Sequence, residues 1–260
     1  MSIQIHPIKA FNDNYIWTLI NKNNKQAIVI DPGQAEPVAE YMQEHSLELT
    51  SIWTTHHHHD HIGGVMELQE YFPMTHIVAH SEHGVEEDQT IKDGGSVSAW
   101  GCSAQIWDVS GHTATHVAYV LDIDGQKHCF CGDTLFSAGC GRVFTGTIEQ
   151  LYDSFKRLNG LPADTLLYPA HEYTANNLRF GLSIEPDNVA MQQALAQAEE
   201  KTAAGIPTLP VTLAHEREVN VFLRVNEPSV IAGVEAKNMS VDSDKPLTVF
   251  AALRELKDNF

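Results

Sequence analysis

Short runs of β-branched and aromatic residues mark most of the first half of this chain as β-strand. Such runs, bounded by glycine, proline, asparagine or aspartate, are typical of strands. The predicted strands are Ile3 to Ile8, Tyr15 to Ile20, Gln26 to Asp31, Ser51 to Thr55, His76 to Ala79, Ala104 to Val109, Val117 to Ile123 and His128 to Cys131. Strands therefore predominate before residue 140.

Apolar residues at helical spacing are sparse in this part of the chain and dominate the last third. The predicted helices are Ala35 to Glu44, Ile62 to Tyr71, Thr147 to Leu158, Tyr173 to Leu182, Asp187 to Ala204 and Pro246 to Lys257. Thr147 and Gln150 have the spacing of a capping box. The change of character after His171 predicts a boundary near Tyr173, with domains of 1–172 and 173–260. The pattern as a whole predicts an α+β protein.

Five histidines and one aspartate stand between Thr55 and Gly63. In an extended backbone side chains alternate sides, so His56 and His58 point the same way, whereas residues two apart on a helix diverge. A strand is predicted before this segment and a helix after it, which makes the segment a ligand loop. Imidazole and carboxylate donors without thiolate predict zinc, manganese or iron in a hydrolytic or oxygen-handling site.

Two simpler interpretations of the histidine run are a purification tag and a chance surface cluster. A tag lies at a chain end and does not alternate with aspartate inside a strand, loop and helix. Three more candidate ligands, His112, Asp133 and His171, each follow a predicted strand and stand beside glycine or another small residue. Loops of this kind collect functional residues, so we favour a metal site.

Composition narrows the range of partners. The 260 residues contain 34 Asp and Glu against 16 Lys and Arg, a net charge of −18, which disfavours nucleic acid as a partner. An anionic substrate would then need local cations near the site. Apolar runs are too short to span a bilayer and no leader pattern opens the chain, so we expect a cytoplasmic protein. Cys129 and Cys131 share one strand face and are expected to be buried thiols.

The order His56-x-His58-x-Asp60-His61, then His112, Asp133 and His171, resembles the metallo-β-lactamase superfamily. Flanking segments narrow the resemblance to the glyoxalase II (hydroxyacylglutathione hydrolase) family over essentially the whole chain. These segments are Phe11 to Tyr15, Cys131 to Phe136, Gly139 to Arg142, Ala170 to Thr174 with Asn176-Asn177, and Leu253 to Phe260. The resemblance implies an αββα sandwich with a smaller C-terminal α-helical domain.

The resemblance also implies two divalent metal ions per chain, zinc first, with iron or manganese open. One ion would be held by His56, His58 and His112, and the other by Asp60, His61 and His171. Asp133 would bridge the two ions together with a hydroxide, the implied nucleophile, so that Asp60 and Asp133 are the catalytic carboxylates. His57 and His59 fall at positions that the motif does not use, and we interpret them as packing residues or neighbours of the ligands.

A glutathione site is implied as well. The family pattern places glutathione against Arg142, Tyr173, Asn177, Arg254 and Lys257, and arginine or lysine is the expected partner of its carboxylates. Phe144 departs from the tyrosine common in the family, which removes a hydroxyl contact. Taken alone, Arg254 and Lys257 are better interpreted as cations on a solvated helix surface.

The implied activity is hydrolysis of an S-(2-hydroxyacyl)glutathione such as S-lactoylglutathione to glutathione and D-lactate, the second step of methylglyoxal detoxification. A thiolate leaving group needs no dedicated acid, because an ordinary thiol has a pKa near ~8.5. We expect a small-molecule substrate, a monomer, and neither nucleic acid nor membrane as a partner. Two rivals stay open: a glutathione persulfide dioxygenase with one iron, and a metal-binding protein without catalysis.

Overall fold

The structure, a computed structural model, describes residues 2–260, the side chain of residue 99 excepted. Two compact units divide these residues. Unit 1 holds the described residues up to Asp108 together with Thr115–Gly132, and unit 2 holds Val109–Ala114 together with Asp133–Phe260. The domain boundary near Tyr173 stays a prediction.

Unit 1 contains most of the strands. Its elements are β1 (Ile3–Ala10), β2 (Asn14–Asn21), β3 (Gln26–Ile30), α1 (Glu36–His45), β4 (Glu48–Trp53), α2 (His59–Ile62), α3 (Val65–Tyr71), β5 (His76–Ala79), β6 (Gln89–Thr90), β7 (Ser96–Ala99), β8 (Cys102–Asp108), β9 (Val117–Ile123) and β10 (Gln126–Gly132). One sheet has the order β1-β2-β3-β4-β5-β6, and four further strands follow the order β10-β9-β8-β7. The first sheet is antiparallel from β1 to β3 and parallel from β3 onwards.

Apolar packing fixes the end of β4, directly before the histidine segment. On one face of the first sheet, buried residues such as Val29 and Ile52 share a core with Val38 of α1 and Leu68 of α3. Trp53 of β4 stacks on Tyr119 of β9, with ring centroids 4.9 Å apart. The Tyr119 hydroxyl donates to the Thr54 carbonyl at 2.9 Å. The strand end is therefore held by both burial and a hydrogen bond.

Unit 2 is mainly helical. Its elements are β11 (Leu135–Phe136), β12 (Gly139–Cys140), α4 (Ile148–Asn159), β13 (Leu166–Pro169), α5 (Thr174–Ile184), α6 (Val189–Ala203), β14 (Val211–Thr212), α7 (Leu213–Val219), a 3₁₀ turn (Val221–Leu223), α8 (Pro228–Glu235) and α9 (Pro246–Asp258). The strands β11 and β12 form a hairpin, and β13 pairs with β14. Phe155 of α4, Phe222 and Phe250 of α9 pack ring against ring with centroids 5.1–6.2 Å apart.

Most sequence predictions of secondary structure are confirmed. The capping box of α4 is present, since the Thr147 hydroxyl accepts from the Gln150 amide and the Gln150 side chain accepts from the Thr147 amide. Cys129 and Cys131 are buried, and burial raises the pKa of the Cys129 thiol to about 12. Over the described residues, helices fall short of the length and apolarity needed to cross a bilayer.

The predicted helix from Ile62 to Tyr71 is wrong at its start. Two helices replace it, because Gly63 and Gly64 separate α2 from α3. A Cβ on Gly64 would lie 2.5 Å from the backbone of Gln34, so the chain at this point passes too close to another segment for a side chain. Consequently Asp60 and His61 lie on a helical turn and not in a loop.

Candidate metal centre

Four of the predicted ligands lie in unit 1, around the turn that begins α2. The His56 Nε2 atom lies 3.1 Å from the His58 Nδ1 atom, and the His61 Nε2 atom lies 3.4 Å from an Asp60 carboxylate oxygen. The rings of His56 and His61 have centroids 4.0 Å apart. Asn14 donates to the Asp60 carboxylate at 3.1 Å. Unit 1 therefore gathers its predicted donors in one place.

Asp31, which sequence reasoning did not single out, orients two of these histidines. Its carboxylate lies 3.0 Å from the His61 Nδ1 atom and accepts from both the Thr55 amide and the Thr55 hydroxyl at 2.7 Å. The same hydroxyl lies 3.1 Å from the His56 Nδ1 atom. Because the Thr55 hydroxyl donates its hydrogen to Asp31, it accepts from His56. Both imidazoles then carry hydrogen on Nδ1 and a lone pair on Nε2, the form in which histidine binds metal.

A sequence signal for Asp31 did exist. The residue directly follows a buried strand and is followed by Pro32 and Gly33, which is the same strand-end pattern that identified the other candidates. Its backbone φ of 56° is in the left-handed region that aspartate tolerates better than most residues.

The two remaining histidines of the run are more exposed than His56 and His61. His57 is half-buried and His59 is exposed, whereas His56 and His61 are fully buried. Within unit 1, the ligand atoms of Asp31, His56 and His61 all lie within 4.8 Å of one another.

Three predicted ligands lie in unit 2 and meet at Asp133. One carboxylate oxygen of Asp133 lies 3.6 Å from the His112 Nε2 atom and the other lies 3.4 Å from the His171 Nε2 atom. The His112 Nδ1 atom lies 2.7 Å from the Arg142 carbonyl oxygen, which can only accept, so His112 also has its lone pair on Nε2. His171 stacks on Tyr173 with centroids 4.7 Å apart and an interplanar angle of 9°. All three ligands are buried.

Two glycines let backbone approach the aspartate ligands. A Cβ on Gly33 would lie 2.0 Å from the Asp60 carbonyl oxygen, in unit 1. In unit 2, a Cβ on Gly141 would lie 2.0 Å from the Asp133 carbonyl oxygen. Side chains at either position would displace the ligand beside them.

These residues fit a divalent cation. In each unit, an imidazole nitrogen that carries a lone pair faces a carboxylate oxygen at 3.4–3.6 Å. Two acceptors facing each other at this distance are brought together favourably by a positive ion. Imidazole and carboxylate donors suit zinc, iron and manganese alike.

The five predicted substrate residues all lie in unit 2 but differ in exposure. Arg142 and Tyr173 are accessible, with 61% of the Arg142 side chain and 37% of Tyr173 exposed. Asn177 is buried and donates to the Ser137 carbonyl at 3.0 Å. Arg254 is buried and donates to the Cys140 carbonyl at 2.6 Å. The interpretation of Arg254 as a solvated surface cation is therefore wrong, because its guanidinium replaces water with backbone oxygen.

Three cationic side chains, those of Arg142, Arg254 and Lys257, lie around the end of α9. Asp258 accepts from both Arg142 and Arg254 at 3.1 Å. The Lys257 ammonium lies over the rings of Phe180 and Phe260, 5.2 and 5.1 Å from their centroids. Burial, together with the nearby Arg254 and Arg142 charges, lowers the pKa of Lys257 to about 8. Arg142 and Lys257 are therefore the cations of this group that solvent can reach, since Arg254 is buried.

Comparison with known proteins gives matches along nearly the whole chain. Residues 15–99 and 108–171 match the metallo-β-lactamase superfamily, and residues 172–260 match the family described as hydroxyacylglutathione hydrolase C-terminus. The chain is 45% identical over 259 residues to the hydroxyacylglutathione hydrolase of Vibrio cholerae, covering 99% of this chain and 100% of that one. It is 47% identical over 258 residues to the hydroxyacylglutathione hydrolase of Neisseria meningitidis, covering 99% of both.

The crystal structure of ETHE1 from Myxococcus xanthus is similar in fold, with a TM-score of 0.58 and 26% identity, covering 84% of this chain and 96% of that chain. The matches confirm the predicted α+β class, the metallo-β-lactamase fold and the helical C-terminal part. Together with the histidine and aspartate clusters, they indicate a divalent-metal site.

Proposed function

This chain belongs to the hydroxyacylglutathione hydrolase family of the metallo-β-lactamase superfamily, and we propose that it hydrolyses S-(2-hydroxyacyl)glutathione thioesters. S-lactoylglutathione is the proposed substrate, and glutathione and D-lactate are the products. The observation that supports this most directly is the placement of Asp133, whose two carboxylate oxygens each face a different buried imidazole. A carboxylate with this environment is suited to serve two ions at once.

Two divalent ions per chain, zinc first, are the proposed cofactors. The family motif assigns His56, His58 and His112 to one ion, Asp60, His61 and His171 to the other, and Asp133 to both. When bound, such ions acidify coordinated water and polarise a carbonyl oxygen. The contribution of the chain is to fix the ligands. Asp31 and Thr55 hold two imidazoles in the metal-binding tautomer, and the Arg142 carbonyl does the same for His112.

Glutathione would be bound by the residues of unit 2. Arg142 and Lys257 are the accessible or half-buried cations, and they would pair with the carboxylates of glutathione. Tyr173 is exposed beside His171 and would contact the substrate near the metal ligands. Asn177 and Arg254 would act through the backbone that they hold, at Ser137 and Cys140. Departure of a thiolate needs no proton donor, since an ordinary thiol ionises near pH ~8.5.

We also propose a cytoplasmic monomer that acts on a small molecule and not on nucleic acid. The four cysteines are free thiols, which suits a reducing compartment. The net charge of −18 opposes binding to a phosphate backbone.

The test is hydrolysis of S-lactoylglutathione, followed as loss of thioester absorbance, with metal content assayed in the same preparation. We expect turnover with close to two metal ions per chain, abolished by a chelator. Oxygen uptake with a glutathione persulfide, at one iron per chain and with the thioester intact, would support the dioxygenase instead. Full metal content without either reaction would support a non-enzymatic metal-binding protein.

Asp133→Ala is the matching variant, with Asp153→Ala on the surface of α4 as its control. Asp153 is 70% exposed and pairs with Lys156 on its own helix. We expect Asp133→Ala to lose metal and turnover together, whereas Asp153→Ala keeps both. Undiminished metal content and activity in Asp133→Ala would contradict the bridging role.

A further inference from the structure

The hairpin of β11 and β12 joins a metal ligand to a substrate residue. Asp133 and Thr134 directly precede the hairpin, and Gly141 and Arg142 directly follow it. The Gly141 amide donates to the Thr134 carbonyl at 3.1 Å, which closes the base of the hairpin. The Arg142 carbonyl is also the group that fixes the tautomer of His112. A displacement of the hairpin would therefore reach Asp133, His112 and the Arg142 guanidinium together.

Glu216 of α7 binds the tip of this hairpin from a fully buried position. One carboxylate oxygen accepts from the Ser137 hydroxyl at 2.9 Å, and the other accepts from the Ala138 amide at 2.8 Å. Ala138 has a φ of 54°, an unfavourable conformation for alanine that needs support from its surroundings. The bond to its amide supplies such support. Burial raises the pKa of Glu216 to about 7, although these hydrogen bonds lower it.

Asn220 binds the two strands of the hairpin at the same point. Its Nδ2 group lies 3.2 Å from the Phe136 carbonyl, 2.9 Å from the Gly139 carbonyl and 3.0 Å from the Glu216 carboxylate. Its own oxygen accepts from the Phe222 amide at 3.1 Å. The side chain is fully buried, so the polar groups of the hairpin have this amide in place of water.

We propose that Glu216 and Asn220 are positioning residues for metal binding and catalysis, acting through the hairpin on Asp133, His112 and Arg142. Neither residue touches a ligand side chain in the contacts described above. Both bind the backbone of the hairpin, which is continuous in sequence with Asp133. The inference rests on the proposed function for its kinetic readout, and on the ligand geometry of unit 2 for its metal readout.

The hydrogen-bond pattern specifies which substitutions should be tolerated. The Glu216 oxygen that faces Ala138 and Asn220 meets two N–H donors and must accept. The other oxygen meets only the Ser137 hydroxyl, which can reverse its role. Glutamine can place its oxygen toward the amides and its NH₂ toward Ser137, so Glu216→Gln should preserve the arrangement. Leucine of similar size cannot.

At Asn220 the change between amide and carboxylate should not be tolerated, because three acceptors surround the NH₂ group of the side chain. Asn220→Asp has nearly the same shape but turns an oxygen toward the Phe136 and Gly139 carbonyls and the Glu216 carboxylate. It therefore replaces three attractions by repulsion without changing volume.

The experiment measures zinc affinity of each full-length variant by competition with a chromophoric chelator, alongside kcat, KM and thermal unfolding. We expect Glu216→Leu and Asn220→Asp to bind zinc at least about tenfold more weakly, a loss typical of changes behind a metal ligand. Their kcat should fall and their KM for S-lactoylglutathione should rise. Glu216→Gln should restore zinc affinity and kcat to within about threefold of the unaltered chain.

The control is Glu185→Gln, at another buried glutamate of unit 2 whose partners are Arg224 and Ser229. It should lower the unfolding temperature while zinc affinity stays unchanged. The proposal is wrong if folded Glu216→Leu binds zinc normally and keeps its kcat, or if Glu185→Gln weakens zinc binding equally. It is also wrong if Glu216→Leu and Asn220→Asp both fail to fold, since the role is then global stability.

The proposed function and this inference fail separately. If the unaltered chain binds zinc but leaves the thioester intact, the activity is wrong and the zinc affinities still decide the role of the hairpin. If turnover is present and the variants bind zinc normally, the activity stands and the positioning role is lost.

Discussion

The two units hold the same kinds of candidate metal ligand by different means. In unit 1, His56, Asp60 and His61 come from one short segment, and Asp31 orients it from 24–30 residues away. In unit 2, His112, Asp133 and His171 come from three segments, and the hairpin beside them is held by side chains 40–114 residues away. The ligands of unit 1 are therefore close together in the sequence. The arrangement in unit 2 exists only once distant helices have packed.

Asp31→Asn should produce the largest loss in this comparison. In one orientation the new amide group faces the Thr55 backbone N–H, and in the other it faces the Thr55 hydroxyl and the His61 Nδ1–H, so donors meet inside a buried network either way. Breaking a buried, hydrogen-bonded charge typically costs ~3–5 kcal/mol. We expect the metal-free protein to lose about 4 kcal/mol of unfolding free energy by chemical denaturation, and zinc affinity to fall. An Asp31→Asn protein as stable as the unaltered chain would show that this carboxylate does not organise unit 1.

For unit 2, Glu216 predicts a pH effect of slightly smaller size. Its folded pKa of about 7 lies above the ordinary value of 4.5, so between these values the folded protein retains a proton that the unfolded chain has lost. Its contribution to stability is therefore complete below pH 4.5 and decreases as the pH rises to 7. At ~1.4 kcal/mol for each pH unit, the decrease is about 3 kcal/mol.

Glu216→Gln isolates this effect, because glutamine stays neutral. The unfolding free energy of each protein is measured by urea denaturation at pH 4 and pH 8. The variant's free energy minus that of the unaltered chain should be about 3 kcal/mol larger at pH 8 than at pH 4. A pH-independent difference between the two proteins would contradict the elevated pKa.

The same contrast explains how much the sequence could predict. The eight predicted strands and the α4 capping box follow from short local patterns, and the seven candidate ligands stand in one histidine-rich segment or beside predicted strand ends, all of which a single sequence displays. Glu216 is an ordinary polar residue in a short helix and Asn220 directly follows that helix, and nothing local distinguishes either. Their partners Phe136, Ser137 and Gly139 lie 79–84 residues earlier, so only tertiary structure reveals the contacts.

Arg254 and α7 are two further features that could not be predicted from the sequence. The spacing of Arg254 on α9 predicts a helix surface, and only the packing of the helix turns that surface inward. The helix α7 has seven residues, too few for a periodic pattern, although Thr212 caps it by accepting from the His215 amide. The sequence therefore did not predict the burial of this helix face or the presence of a short helix.

Gly33→Ala and Gly141→Ala test whether the two units tolerate crowding equally. Each added Cβ would lie 2.0 Å from the carbonyl of an aspartate ligand, and overpacking of this kind costs ~1–3 kcal/mol. We expect both variants to lose about 2 kcal/mol by chemical denaturation, with weaker zinc binding. Gly160→Ala, whose Cβ would lie 3.2 Å from Arg157, is the control and should stay close to the unaltered chain. Normal zinc affinity in both variants would show that the added Cβ atoms do not disturb Asp60 and Asp133.

Lys257 predicts the smallest effect, on substrate binding alone. Its pKa of about 8 means that the ammonium is lost as the pH rises from 7 to 9, so KM for S-lactoylglutathione should increase over that range. Lys257→Met should raise KM about fivefold at pH 7, near 1 kcal/mol, and flatten the pH dependence. Lys245→Met, at a residue that is 73% exposed, should change neither. An unaltered KM profile in Lys257→Met would remove this lysine from the glutathione site.

The residues that bind the hairpin of unit 2 are all synthesised after the hairpin itself. Its partners follow it in the order Asn177, Glu216, Asn220 and Arg254, the last 114 residues after Cys140. At ~5–20 residues per second, the ribosome delivers Arg254 roughly 6–23 seconds after Cys140. Until Arg254 has been made, the Cys140 carbonyl must be hydrogen-bonded by water. The hairpin beside the candidate ligands therefore gains its last hydrogen-bond partner only near the end of synthesis, after His112, Asp133 and His171 have all been made.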